Sequence, residues 1–375
     1  MANDKQNTSP NVPNLRFSEF SEEWKTLFVD DVCPEFQSGK NIKAENIKSE
    51  GLYPVYGGNG LRGYTDIYNH DGTYVLIGRQ GALCGNVRLV EGRNYITEHA
   101  IAVSSSNEHC IYFLYYLFYK MNLGQYSDQS AQPGLAVNKL LRLKLHIPLK
   151  DEQTKIAKIL TLLDTRIATQ NKIIEDLKKL KVAIIENIFK DKCCKHKIGD
   201  IITQISIRNK SNNVLNVLSV SNKLGFVEQS EQFEDRTVAS EDLTSYKIVR
   251  TNDFAYNPAR INVGSIARLK QYESGIVSPM YICFHAKKNV LPEYLEIFFL
   301  TQYFKHEMYK RLEGSVRLCL SFEGLTNIPI FIPEIPLQRE ISEKVLAFET
   351  KIGIEEHYLN ALEKQKQYLL QQMFI

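Results

Sequence analysis

The stretch IPLKDEQTKIAKIL, Ile147 to Leu160, has a close counterpart in IPEIPLQREISEKV, Ile332 to Val345. The two stretches start 185 residues apart, and residues 130–189 align with residues 315–374 without a gap. Further upstream, YITEHAIAV at 95–103 resembles GIVSPMYICF at 275–284. A period this long, present twice, predicts a duplicated unit of about 180 residues and not a solenoid of many short repeats.

The two stretches open long segments in which apolar residues recur at alternating spacings of three and four. The first series is Leu160, Leu163, Ile167, Ile174, Leu177, Ile184 and Ile188. The second series is Val345, Phe348, Ile352, Leu359, Leu362, Leu369 and Met373. Each series has polar steps at matching places, Gln170 and Lys181 in the first and Glu355 and Lys366 in the second.

A sustained stripe of this kind is typical of a coiled-coil seam, although one helix packing on its own domain gives the same pattern. The matching polar steps favour two helices that pack on each other. We expect an antiparallel pair in which Lys181 faces Glu355 and Gln170 faces Lys366, so that polar steps meet polar steps. One helix over residues 151–189 would span about 58 Å.

The fold class predicted from these patterns is α+β, because each half mixes strand-like runs and glycine turns with few helices. Two similar globular domains would be held apart by two long antiparallel helices related by a pseudo-twofold axis. The expected division is a disordered leader at 1–14, a first globular domain at 15–148, a first long helix at 149–190, a second globular domain at 191–333 and a second long helix at 334–375.

Composition gives further limits on the class of protein. The chain has 375 residues, is 43% hydrophobic and carries a net charge of +3. No apolar run reaches the ~18 residues that a membrane helix needs, so no membrane segment is expected. Seven cysteines without a framework spacing indicate reduced thiols and a cytoplasmic protein. The small net charge neither requires nor excludes nucleic acid as a partner.

Two similar domains held at a fixed separation are one arrangement by which proteins read a split site on DNA. If this chain does so, the polar side chains beside its glycine turns are the candidates for reading the bases. Arginine recognises guanine, and asparagine or glutamine recognises adenine, while glycine lets the backbone approach a ligand closely. Polar residues are common in any loop, so the prediction of base contacts is better supported for the set as a whole than for any single residue. The candidates are Asn59, Arg62, Arg79, Gln80 and Gln132 in the first half, and Asn257, Arg260, Asn262 and Arg317 in the second.

Three motifs resemble catalytic or metal sites without meeting their requirements. GGNGLRG contains the glycine spacing of a dinucleotide-binding loop, but a strand-like YTDIY follows where a helix is required. NPAR at 257–260 lacks the second proline and the aromatic residue of the adenine methyltransferase loop. CCKH at 193–196 has adjacent cysteines and no second pair nearby. We therefore expect no catalytic residues and no metal in this chain.

With the repeat, the phrase PNLRFSEFSEEW at 13–24, the YPVYGGNG stretch at 53–60 and both Ile-Pro helix starts in view, the chain resembles the specificity subunit of type I restriction–modification enzymes. The resemblance covers nearly the whole chain. One departure is KHKIGDI at 195–201, which opens the second half without a counterpart of Trp24.

The resemblance implies that each globular domain is a target-recognition domain for one half of a bipartite site on double-stranded DNA. The long helices would set the spacer and dock two modification subunits, which hold S-adenosylmethionine and methylate adenine, and restriction subunits would then join. The chain itself would hold no cofactor. Two alternatives stay open: a free-standing adenine DNA methyltransferase with duplicated recognition domains, and a coiled-coil scaffold that does not bind DNA.

Overall fold

The computed structural model describes residues 11–128, 133–190, 195–222, 224–229, 243–315 and 317–375. The chain divides into two compact units: unit 1 combines the residues up to Lys172 with His357–Ile375, and unit 2 is Ile173–Glu356. Residues 1–10 of the expected leader lie outside the described residues. Residues 11–14 are instead folded onto unit 1, where the amide of Trp24 donates to the carbonyl of Asn11 at 2.9 Å.

Two long helices and several short ones occur in the described residues, and one of the long helices starts in each half of the chain. In chain order the α-helices are Val29–Val32, Ile111–Met121, Val137–Leu141, Lys150–Phe189, Ile198–Ile201, Pro292–Phe299, Gln302–Tyr309, Phe322–Thr326 and Ile335–Gln372, with 3-10 turns at Ala44–Asn46, Leu123–Tyr126 and Ile261–Val263. We call Lys150–Phe189 the first long helix and Ile335–Gln372 the second. Among the described residues, none of these helices combines the length and the apolar character that spanning a membrane requires.

The strands are short and fall into two matching sets. Those of unit 1 are β1 Lys25–Phe28, β2 Phe36–Ser38, β3 Tyr53–Gly57, β4 Gly60–Thr65, β5 His70–Asp71, β6 Tyr74–Gly78, β7 Val87–Val90, β8 Arg93–Ile96, β9 Ala100–Val103 and β10 Lys144–Ile147. Those of unit 2 are β11 His196–Lys197, β12 Ile202–Ile205, β13 Val217–Ser221, β14 Gly225–Glu228, β15 Lys247–Arg250, β16 Phe254–Tyr256, β17 Ile266–Arg268, β18 Ser274–Val277, β19 Ile282–Ala286 and β20 Pro329–Ile330.

The sheet topology repeats from one unit to the other. Unit 1 has sheets ordered β2-β9-β6-β7 and β4-β3-β8-β5, and unit 2 has β12-β19-β16-β17 and β14-β13-β18-β15. Each sheet of the second kind contains one parallel pair, β3 with β8 and β13 with β18. Short antiparallel pairs, β1 with β10 and β11 with β20, complete each set. The predicted duplication and the α+β class are therefore confirmed.

Each unit has an aromatic core that includes a phenylalanine at or just beyond the end of one long helix. In unit 1, Phe374 stacks on Phe113 at 5.2 Å between ring centroids, and Trp24 meets both rings edge-on. In unit 2, Phe189 lies 5.5 Å from the rings of both Tyr294 and Phe298. Phe189 and Phe374 are repeat equivalents, and both make aromatic contacts where a long helix ends.

Within each unit, part of one long helix packs on part of the other. The core of unit 1 joins Leu160 and Leu163 to Leu369 and Met373. In unit 2 the core joins Ile185 to Ile341 and Val345. Because early residues of one helix pack with late residues of the other, the helices are antiparallel, as the sequence predicts. The apolar residues of the predicted stripe are buried or half-buried throughout.

The ion pairs of the seam differ from the predicted pairing. Lys181 pairs with Glu349 at 3.3 Å and Lys366 pairs with Asp164 at 2.6 Å. Asp164 and Glu349 are repeat equivalents, so both units use the same contact. In addition, Ile188 lines one cavity with Ile341, seven residues before the predicted partner Phe348.

Each lysine thus pairs with an acidic residue six positions before its predicted partner, Glu349 instead of Glu355 and Asp164 instead of Gln170, while the register of the two helices stays a prediction. That expectation assumed that a polar step needs a polar step opposite it. A lysine can instead lay its apolar stem along the seam and place its ammonium group on an acidic residue beside it. Matching the polar steps therefore did not predict these ion pairs.

A fully buried glutamine joins the start of each long helix to the segment that precedes the aromatic helix of the same unit. In unit 1, Gln153 accepts from the amide of Cys110 at 2.8 Å and donates to the carbonyl of Pro148 at 2.9 Å. Gln338 occupies the equivalent place in unit 2. It accepts from the amide of Leu291 at 2.8 Å and donates to the carbonyl of Pro333 at 2.8 Å. The repeated Ile-Pro and glutamine motif is therefore a buried clamp that positions a helix.

Replacing the clamp glutamine should destabilise its unit. Gln153→Leu leaves one buried amide and one buried carbonyl without their partner, which costs about 1–3 kcal/mol for each group. We expect the free energy of unfolding in urea to fall by about 2–4 kcal/mol, and Gln338→Leu to act similarly. Gln365→Leu, at an exposed position of the second long helix, should change it by less than about 0.5 kcal/mol. Equal effects at Gln153 and Gln365 would contradict the clamp.

The clamp of unit 1 also makes stability depend on pH. Nδ1 of His109 lies 3.1 Å from Nε2 of Gln153, an amide donor, so this ring nitrogen accepts and the imidazole is neutral. Burial lowers the pKa of His109. The unfolded chain therefore binds a proton first as pH falls below about 6.5, and the folded state loses stability there. In urea titrations between pH 7.5 and 5, His109→Asn should lose less stability than the unmodified chain; equal slopes would contradict this linkage.

Candidate nucleic-acid interface

Several loops of unit 1 meet where β6 ends. The amide of Arg79 donates to the carbonyl of His99 at 2.9 Å, and the carbonyl of Arg79 accepts from the amide of Leu135 at 2.9 Å. The turn between β3 and β4 lies against the same place. A Cβ atom on Gly58 would stand 2.8 Å from the carbonyl oxygen of His99, so only glycine permits this approach.

This meeting of loops brings the predicted residues of the first half together. Asn59 and Arg62 are exposed on the β3–β4 hairpin, with the stem of Arg62 against Gly57. Arg79 is half-buried, and the side-chain oxygen of Gln80 lies 3.1 Å from Nδ1 of His99. Gln132 lies outside the described residues. The four described candidates of the first half therefore share one end of unit 1.

In unit 2 the equivalent loops line a cavity. Its volume is about 640 Å³, and Asn257, Arg260 and Arg317 are among the lining residues. The carbonyl of Pro258 accepts from the amide of Leu320 at 3.1 Å, as Arg79 does from Leu135 in unit 1. Asn262 does not line the cavity; its carbonyl accepts from the hydroxyl of Tyr309 at 3.3 Å. Three of the four second-half candidates are thus brought together.

The charge of this cavity suits a polyanion. Among its described lining residues, Arg260 and Arg317 are cationic and there is no carboxylate. A larger cavity of unit 1, about 710 Å³ beside the start of the first long helix, is different in character. Its lining includes six carboxylates, those of Glu19, Glu22, Glu23, Asp31, Glu108 and Glu152, against three cationic side chains, Arg16, Lys25 and Lys150. Like charges disfavour phosphate there, so the smaller cavity is the better candidate.

Sequence reasoning missed the turn between β8 and β9 in unit 1 and the turn between β18 and β19 in unit 2. His99 in unit 1 and Ser278 and Met280 in unit 2 belong to these turns, and the latter two line the cavity. The alignment of YITEHAIAV with GIVSPMYICF contains these positions. Neither turn contains a glycine, so no local signal in the sequence singled it out. Arg88 was also missed; its guanidinium lies beside Gly60.

Unpaired buried polar atoms concentrate around the same loops. Among the described residues, four buried side-chain polar atoms have no hydrogen-bond partner, on Trp24, Thr97, Glu98 and Gln229. Thr97 and Glu98 are in the turn between β8 and β9, and Gln229 lines the cavity of unit 2. Buried polar groups normally have partners, so unpaired ones require an explanation. A bound ligand with donors and acceptors would supply it.

The motifs that resemble catalytic sites do not form such sites in the described residues. Gly58, Gly60 and Gly63 lie in the antiparallel β3–β4 hairpin and not between a strand and a helix. No group of three or more potential metal ligands is present in the described part of the chain, which excludes Cys193 and Cys194. Burial raises the pKa of the Cys33 and Cys283 thiols to about 12, which makes them poor nucleophiles.

Comparisons with a family model and with known proteins point to the same kind of protein. Residues 21–179 match the family model of the type I restriction modification DNA specificity domain. The specificity subunit of the type I restriction enzyme EcoprrI from Escherichia coli is 46% identical over 155 residues, which cover 40% of this chain and 38% of that protein. A putative specificity subunit from Haemophilus influenzae is 27% identical and covers 37% of this chain. The chain thus matches 38% and 36% of the length of these two relatives.

Other matches extend over almost the whole chain. The MjaVIII specificity subunit from Methanocaldococcus jannaschii is 23% identical, over 93% of this chain and 91% of its own length. The crystal structure of the type I restriction–modification S subunit from M. genitalium has the same fold, with a TM-score of 0.63, 18% identity and coverage of 97% and 99% of the two chains. The sequence matches and the duplicated fold agree: residues 21–179 match a type I restriction modification DNA specificity domain, and the whole chain is similar to type I restriction–modification specificity subunits.

Proposed function

We propose that this chain is the DNA-recognition subunit of a type I restriction–modification enzyme, and that each unit reads one half of a bipartite site on double-stranded DNA. The observation that carries the proposal is the pair of equivalent loop sets at equivalent strand ends. The loop after β6 presents Arg79 and Gln80, and the loop after β16 presents Asn257 and Arg260. Two units that share a backbone fold but differ in their loop side chains could each recognise a different DNA sequence.

The chemistry of the loops supports DNA as the ligand. Arg260 and Arg317 can bind phosphates or the acceptor edge of guanine, and Asn257 and Gln80 can bind adenine. The cavity of unit 2 carries no carboxylate among its described lining residues, so phosphates are not repelled there. A coiled-coil scaffold without DNA binding would give no reason for these cationic loops.

The long helices would supply the spacing and the surface for other subunits. At about 1.5 Å per residue, the 40 residues of the first long helix extend about 60 Å. Apolar side chains stand exposed on both helices, among them Leu162, Leu180, Leu346 and Ile354. We infer that two modification subunits dock on these helices and that restriction subunits join the complex. Its DNA substrate would place the complex in the cytoplasm.

The proposed role gives this chain no active centre of its own. In the complex, the modification subunits would hold S-adenosylmethionine and methylate adenine, while this chain selects the site. A free-standing methyltransferase would need a glycine loop between a strand and a helix. The glycines that resemble one, Gly58 to Gly63, belong to a hairpin instead.

Alanine variants should change base preference one half-site at a time. Asn257→Ala, Arg260→Ala and Arg317→Ala should each relax preference at single positions of one half-site, and Arg62→Ala and Arg79→Ala at positions of the other. Loss of a base contact costs about 1–3 kcal/mol. Sequencing of DNA selected from a random library by the assembled enzyme measures both half-sites together. Arg142→Ala and Arg250→Ala are exposed controls that should change neither, and unchanged preferences in all five variants would reject the assignment.

Matched lengthening of the two long helices should lengthen the gap between the half-sites. Seven residues inserted after Asp176 and seven after the repeat equivalent Ala361 keep the phase of the seam and add about 10.5 Å, or roughly three base-pair steps. The selected half-sites should stay the same while the gap grows by about three base pairs. A seven-residue insertion at the exposed Gly92 turn should leave the gap unchanged. Altered half-sites with the original gap would contradict the proposed role of the helices.

A further inference from the structure

The turn between β8 and β9 in unit 1 and the turn between β18 and β19 in unit 2 are closed by the same backbone hydrogen bond and carry different side chains. In unit 1 the amide of Ala100 donates to the carbonyl of Thr97 at 3.0 Å, and in unit 2 the amide of Tyr281 donates to the carbonyl of Ser278 at 3.0 Å. The third residue of the turn is His99 in unit 1 and Met280 in unit 2. These two side chains therefore occupy equivalent positions.

Both side chains contact the loop that carries the proposed base-reading residues. Nδ1 of His99 lies 3.1 Å from the side-chain oxygen of Gln80, and the sulfur of Met280 lies 3.8 Å from Nδ2 of Asn257. The contact with the neighbouring loop is thus preserved between the units, while the contacting group changes from an imidazole nitrogen to a thioether sulfur that accepts from the Asn257 amide. Such a difference is expected where two half-sites differ in sequence.

The side chain of Met280 is exposed although it is apolar. It is 61% exposed, although it lines the same cavity as Arg260 and Arg317. A methionine used to fill a core would be buried, and a flexible thioether at a surface is suited to packing against an apolar group of a partner. In the major groove of DNA, the base edge offers one such group, the C5 methyl of thymine.

We propose that Met280 is a specificity-determining residue that packs its thioether on the C5 methyl of a thymine in the half-site read by unit 2. The inference rests on the proposed function and adds one base-contacting residue to it. Arg260, Arg317 and Asn257 supply hydrogen bonds around the contact, and Met280 supplies its apolar part. His99 at the equivalent place in unit 1 makes the corresponding contact polar.

Removing a single methyl group from the DNA tests the contact directly. The bipartite motif is first obtained by selection with the unmodified chain in the assembled enzyme. Each thymine of the half-site that responds to Arg260→Ala and Arg317→Ala is then replaced, one at a time, by uracil, which lacks only the methyl. Binding of each duplex is measured by competition with the unmodified chain, with Met280→Ala and with Met280→Leu.

One uracil replacement should weaken binding by the unmodified chain about fourfold, the ratio expected for burial of one methyl group. The same replacement should change binding by Met280→Ala less than about 1.5-fold, because the partner of the methyl is gone. Met280→Leu, which keeps an apolar side chain, should retain most of the uracil penalty. Leu300→Ala removes an exposed apolar side chain elsewhere in unit 2 and should behave like the unmodified chain.

The inference is overturned if the uracil penalties of Met280→Ala equal those of the unmodified chain at every thymine, or if that half-site contains no thymine on either strand. Selection of no bipartite motif by the unmodified chain would instead reject the proposed function itself. The two failures are therefore distinguishable, because the motif is established before any uracil is introduced.

Discussion

The buried amide of Gln153, and that of Gln338 at the equivalent place, is the contact on which the arrangement of each unit depends. Each side chain accepts from one backbone amide and donates to backbone carbonyls, so a single residue satisfies groups from two different segments. A buried amide side chain can satisfy its donors and acceptors only in a narrow range of geometries. The direction in which each long helix leaves its sheets is thereby restricted, and the stretch of sequence that carries the glutamine occurs once in each half of the chain.

Much of the fold could be predicted because it follows from periodicity. The stripe from Leu160 to Ile188 defines a helix face, and its copy from Val345 to Met373 defines the second, so their antiparallel pairing follows from the duplication. The ion pairs beside the seam did not follow. The heptad pattern shows where apolar side chains lie, but the acidic partner of each lysine depends on side-chain reach, as the Lys366 and Asp164 pair illustrates.

The sequence predicted only the part of the candidate interface that lies beside glycine turns. Glycine turns are visible in a sequence because they need an unusual residue, and so the loops with Arg79 and Asn257 were found. His99 and Met280 lie in turns without glycine, and no local pattern distinguishes them from other connections. Their importance comes from contacts with residues that are distant in the sequence, which only the folded chain brings together.

Unit 1 is built from two separate segments of the chain, and this affects the order in which the two units can fold during synthesis. Its core contains Trp24 and Phe113 from early in the chain and Phe374 from its last few residues. Synthesis on the ribosome proceeds from the N-terminus, and domains generally fold in that order. Unit 1 breaks this order, because its core is incomplete until Phe374 has emerged. Unit 2, which is continuous from Ile173 to Glu356, has all of its residues available earlier. Unit 1, whose first residues are made before those of unit 2, can therefore complete its core only after all of unit 2 has been made.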